Sequence, residues 1–146
     1  MEIYSIGFTK TTAESFFTRL SASGVRRLLD VRRNPSSQLS GFAKDRDIPY
    51  FLRELVGAEY VYEPLLAPSD EILEAYKRRG DMSWPEYEER FIALLREREV
   101  ERRLDRNAFL MPTALLCSEA TPEHCHRRLA LEYLSEHWGG LQITHL

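Results

Sequence analysis

The sequence predicts an α/β fold, a single three-layer domain over residues 1–146, with a mostly parallel sheet of about four or five strands and helices on both faces. Three observations predict it. Short runs rich in branched and aromatic residues alternate with longer stretches whose apolar residues recur at helical spacing. The first two strand candidates enclose a helix, and such a unit implies a crossover between parallel strands. The run TALLCS, Thr113 to Ser118, is almost wholly apolar, as the middle of a parallel sheet requires.

Glu2 to Phe8 reads as the first strand, ended by a turn at Gly7-Phe8-Thr9. Thr12 then precedes AESFFTRLSASG, where Phe16, Phe17 and Leu20 mark a helical face and Gly24 supplies the stop. Val25 to Val31 is the second strand. Arg32 to Asp47 is polar, shows neither period, and reads as a long loop of the kind that carries function. Pro49 begins a short helix closed by Gly57, and Glu59 to Leu66 is the third strand.

Ser69 caps a helix with acids in its first turn and Lys77, Arg78 and Arg79 in its last. Ser83 caps a longer one, with Tyr87, Phe91, Leu94 and Leu95 on its apolar face and a mixed-sign tail, REREVERRLDR, that reads as a solvated helical face. After the strand at Thr113, Thr121, Pro122 and Glu123 read as N-cap, N1 and N2 of a last helix reaching Trp138. Gly139-Gly140 stops it, and LQITHL is the final strand.

Composition excludes several classes. Hydrophobic residues make up 43% of the chain, enough for a core, and a net charge of −3 gives no global basic field for nucleic acid. The apolar runs fall far short of the roughly 20 residues of a membrane span. Glu2 stands where a signal peptide would be basic, so no membrane association and a cytoplasmic location are expected. Two cysteines do not frame a disulfide-rich domain; in the cytosol such a pair is reduced, metal-bound or chemical.

In a parallel sheet ligands bind beyond the carboxyl ends of the strands, which here bring Thr9, Lys10, Asp30 to Arg33, Glu63 and Cys117 to Glu119 to one edge. The densest stretch is LCSEATPEHCHRR. A thiol at a helix start beside His126 and Arg127 is favoured as thiolate, which makes Cys125 the candidate nucleophile, with Glu119 as proton acceptor. Cys117, inside an apolar run, reads first as a packed residue. A cysteine phosphate cradle would need arginine six residues on, but Glu123 and Leu131 stand there. The Cys117-x7-Cys125-His126 spacing does not match a short zinc knuckle, so no metal is assigned and the cofactor is left open. Asp30 and Arg32, with the loop residues Ser36, Ser37, Gln38, Lys44 and Arg46, suit an anionic group or a pinning ion pair. Phe42 reads as a base-stacking residue or a loop anchor.

The motifs YSIGFT, LLDVR, NPSSQLSGFAK, EYVYEPLLAPS, SWPEYEERF and LLCSEATPEHCHRR together resemble a prokaryotic family catalogued as domain of unknown function 488. The resemblance implies an α/β fold and places Asp30, Arg32, Cys117, Glu119, Cys125, His126 and Arg127 at the family's signature positions. Ser36-Ser37-Gln38 after the loop proline is similar to an SQLSGF-type subgroup. The family brings no established reaction. The Leu-Asp-Val-Arg strand end is also similar to that of the rhodanese domain, but no glycine-rich cradle follows Cys117.

The expectation is an anion site at the carboxyl edge of the sheet. Arg32, Arg127 and Lys10 hold a phosphate-bearing ligand, a nucleotide or nucleic-acid segment, Asp30 fixes the arginines, and Cys125, Glu119 and His126 act, with Cys117 beside them. Two alternatives stay open: a partner-binding module whose cluster is a structural network, and a metal or redox thiol site. Oligomeric state is left open.

Overall fold

The structure, a computed structural model, describes residues 1–37, 41–78 and 80–146. Gln38, Leu39, Ser40 and Arg79, part of the loop and helix-end expectations, lie outside the described residues. Among the described residues five strands form one sheet: β1 (Glu2–Gly7), β2 (Arg27–Asp30), β3 (Glu59–Tyr62), β4 (Thr113–Cys117) and β5 (Gln142–His145), in the order β3-β2-β4-β1-β5. Every pairing is parallel, with Ile3 opposite Thr113, Leu29 opposite Leu115 and Gly7 opposite Cys117.

Capping chemistry sets the helices. Thr12 accepts from the Ser15 N–H at the start of α1 (Ala13–Ser23), and Gly24 ends it at φ 78°. Pro49 sits in the first turn of α2 (Ile48–Leu55). Ser69 caps α3 (Asp70–Leu73), which widens into a π-helical turn over Glu74–Arg78 instead of continuing as α-helix. Ser83 caps α4 (Trp84–Arg98); Glu99 at φ 52° separates it from the single turn α5 (Val100–Arg103). The last helix, α6, covers His126–Trp138.

The long loop after β2 folds into short 3₁₀ turns at Pro35–Ser37 and Gly41–Ala43. Phe42 packs against Phe8, Phe16 and Phe17, with ring centroids 6.4, 5.4 and 5.8 Å away, so it anchors this loop. The third strand stops at Tyr62, because Glu63 accepts from the Leu65 N–H and Pro64–Leu66 turns as 3₁₀.

Alternating side chains divide the core. Ile6, Leu28 and Leu116 pack with Phe16, Phe17 and Leu20 of α1 and Ile48 and Leu52 of α2. Ile3, Leu29 and Leu115 pack on the opposite face with Phe91 and Leu95 of α4 and Leu129 to Leu134 of α6. The helix that follows β4 therefore covers one face, while those that follow its neighbours β1 and β2 cover the other. Loops leaving in opposite directions open a crevice at the carboxyl end of β4. Among the described residues no helix is long and apolar enough to cross a membrane.

The chain after β4 crosses directly over the end of β1. A Cβ at Gly7 would stand 1.6 Å from the Glu119 carbonyl oxygen, so only glycine admits the crossing. Gly7→Ala is expected to cost at least ~3 kcal/mol of stability in urea unfolding. A loss below ~1 kcal/mol would mean that the loop moves aside freely.

Candidate functional site

Cys117 ends β4, Cys125 is the N-cap residue of α6, and His126 is its first residue. The helix starts later than Thr121-Pro122 predicts. The Pro122 carbonyl accepts from the Cys125 N–H at 3.3 Å and from Arg128 Nε at 3.2 Å, closing a turn before the helix begins. His124 therefore lies in that turn, where its ring stacks on Trp84 at 4.8 Å.

The two sulfurs face each other at 2.6 Å, both cysteines are free, and both are buried. His126 Nε2 lies 2.7 Å from the Val31 carbonyl, which can only accept, so Nε2 carries hydrogen. Nδ1 then faces Cys117 Sγ at 3.6 Å. The ring meets Phe91 edge to face at 5.5 Å, which fixes its plane.

The environments of the two thiols differ. Burial disfavours the Cys117 thiolate, but the thiol hydrogen donated by Cys125 and the charges of His126 and Arg127 outweigh it and hold its pKa well below the usual range. Burial and the neighbouring Cys117 push Cys125 up. Burial opposes charge on His126, yet Cys117 and the Val31 carbonyl raise its pKa. The favoured thiolate is Cys117, whereas the helix-start argument pointed to Cys125.

The arginines are built in rather than displayed. Arg127, fully buried, donates from Nε to Ser5 Oγ at 3.0 Å and from Nη1 to the Glu119 carbonyl at 2.7 Å, and so holds the crossing loop. Arg32, 2% exposed, grips Asp30 through Nε at 2.9 Å and Nη2 at 2.8 Å. Asp30 also accepts from the Arg32 backbone N–H and from Tyr60 Oη. Asp30 thus fixes Arg32, while Arg33 pairs with Asp70.

A cavity of about 150 Å³ opens over this edge, and its lining includes Arg32, Cys117, Cys125, His126, Glu119 and Lys77. Glu119 is ion-paired with Lys77. Lys10 is exposed at φ 59° and does not line the cavity, and the Asp30 and Arg127 side chains are buried behind it. Sequence reasoning missed Lys77, Tyr76 and Tyr87 as lining residues, and it left His124, within the densest stretch, without a role. The aromatic residues of SWPEY and the lysine of AYKRR were visible only as helix-face and dipole signals. A larger groove of about 520 Å³ between α1 and α2 is lined by hydrocarbon apart from Glu14, Thr18 and Ser21, so it lacks this chemistry.

The model of the family described as Domain of unknown function DUF488 matches residues 12–134. The chain belongs to this family. In this DUF488 member the match runs from the cap of α1 into α6 and so takes in both arms of the site. No curated protein and no solved structure matches the chain.

Two outcomes follow for the buried charges. Asp30→Ala leaves the Arg32 cation buried and unpaired and is expected to cost about 3–5 kcal/mol in urea unfolding, whereas Tyr60→Phe costs about 1 kcal/mol. Equal losses would deny the pair its dominance. The second concerns His145, whose Nδ1 is hydrogen-bonded to Ser5 Oγ, the oxygen that also accepts from Arg127. Burial, then Arg127 and Arg128, depress its pKa below 6.5 against a weaker opposing pull from Glu132. Its contribution to stability is therefore full above the unfolded-state value and lost as pH falls through the folded value. Urea midpoints between about pH 7.5 and pH 5 should fall more steeply in the parent than in His145→Asn, and parallel curves would refute the assignment.

Proposed function

We propose that the chain binds an anionic group, a phosphate or carboxylate carried by a ligand such as a nucleotide, in the cavity at the carboxyl end of β4. Glu119 and His126 act on it with the Cys117 sulfur, the favoured thiolate, and Cys125, the nucleophile expected from the helix start, is the thiol that donates to it. One observation carries the binding half of this reading. Arg32 Nη1 is buried without a hydrogen-bond partner among the described residues, on a residue that lines the cavity. An unmade hydrogen bond on a buried cation is costly, and an oxyanion beside it is the natural complement. The other buried nitrogens without partners belong to Arg27 and Arg127, neither of which lines this cavity.

The volume supports an anionic head group rather than a whole nucleotide, since pockets for larger ligands run to roughly 300 Å³ and above. The remainder of the ligand lies over the mouth, by Arg33, Lys77 and Tyr76. The Arg33–Asp70 and Lys77–Glu119 pairs are exposed, so exchanging a carboxylate for a ligand oxygen costs little there. Arg127 enters this reading as the residue that positions the loop. We place the protein in the cytosol, where two unpaired thiols stay reduced.

Arg32→Lys keeps a cation for Asp30 but removes the third nitrogen of the fork. Calorimetric titration with inorganic phosphate and with a nucleoside monophosphate should show affinity reduced roughly 10- to 100-fold, the loss of one charge-assisted hydrogen bond. Unchanged affinity in a folded Arg32→Lys protein would remove Arg32 from the site.

A further inference from the structure

The sulfurs of Cys117 and Cys125 and Nδ1 of His126 all lie within 4.8 Å of one another, and all three residues are buried. We propose that these three atoms hold a divalent transition metal of the zinc class, with a fourth coordination position open to the cavity. The donor chemistry selects that class. Two thiolates with one imidazole suit zinc and its neighbours and are foreign to magnesium or calcium.

The surroundings are those of ligands already oriented. Val31 takes the Nε2 hydrogen of His126 and leaves Nδ1 as the free donor, the arrangement that fixes a metal-binding histidine. Cys117 Sγ and His126 Nδ1, 3.6 Å apart, already have the separation of two ligands on a tetrahedral centre with bonds of about 2.1–2.3 Å. The sulfur pair, 2.6 Å apart, must open by about 1 Å to reach the separation of two thiolates on one centre. Binding releases two protons to solvent, one from the Cys125 thiol and one held between Cys117 Sγ and His126 Nδ1, and leaves two thiolates neutralising the dication.

Three protein ligands are one fewer than a closed structural site uses. All three residues line the cavity. The fourth position is therefore taken by water or by a ligand atom entering beside Arg32. The sequence spacing hides such a site because the loop between the cysteines crosses β1 before it returns.

The test is cobalt(II) titration of the full chain after removal of metals with a chelator under reducing conditions. Thiolate-to-cobalt absorption bands that saturate at one ion per chain, and that zinc then abolishes, are expected. Cys125→Ser should lose the one-ion saturation, with affinity down at least ~100-fold, while circular dichroism reports its fold. If that variant does not fold, the parent alone decides. Absence of the bands while both thiols react as free thiols overturns the proposal. Phosphate titration of the metal-free protein separates it from the anion reading: cobalt bands without phosphate binding retain the metal site and sink that reading, and phosphate binding without bands does the reverse.

Discussion

Arg127 has no exposed surface, and its guanidinium joins the parts of the molecule that define the site. Nε holds Ser5 in the middle of β1, and Nη1 holds the carbonyl of Glu119, which passes over Gly7 at the end of the same strand. The loop is drawn down onto the sheet, so the residues on either side of it, Cys117 and Cys125, come back together. A side chain at Gly7 or a shorter residue at Arg127 would release the loop, and the cluster depends on its return. Ser5 completes the arrangement by accepting from Arg127 and hydrogen-bonding His145 Nδ1, which ties β5 into the same network.

Arg32 follows the same design at the neighbouring strand. A buried ion pair is weak evidence for stability, because removing two charges from water costs about what their attraction returns. Asp30 and Arg32 are better understood as a means of holding a cation rigidly at the sheet edge. Tyr60 and the backbone satisfy the remaining capacity of the carboxylate, and one guanidinium nitrogen is left over beside the cavity. A chain with a net charge of −3 thus concentrates positive charge at one point, next to two thiols and an imidazole. The proposed anion contact rests on Arg32 and the proposed metal contact on Cys117, Cys125 and His126, all of which line this one cavity.

Much of the fold was legible because its signals are local. Thr12, Ser69 and Ser83 each accept from the backbone N–H three residues on, as cap residues followed by helical periodicity should. The almost wholly apolar β4 reads as a central strand, and it has a neighbour on each side. The start of α6 was misjudged for an equally physical reason. Thr121-Pro122-Glu123 has the composition of a helix start, but the chain there is still descending from its crossing over β1, and Pro122 closes a turn instead. The pairing of Lys77 with Glu119 and the stacking of Trp84 on His124 join residues some forty positions apart, and no local pattern encodes them.

The sequence by itself determined the α/β class, the parallel sheet, the order of its elements and the clustering of Asp30, Arg32, Cys117 and His126 at the carboxyl edge. Hydrophobic periodicity, caps and strand direction act over a few residues and suffice for that. Only the tertiary structure decided which nitrogen of Arg32 is left unbonded, that Lys10 stays outside, and that Cys117 rather than Cys125 has the environment of a thiolate. Those properties depend on burial and on partners brought from other strands and helices, and so they exist only once the chain has closed around them.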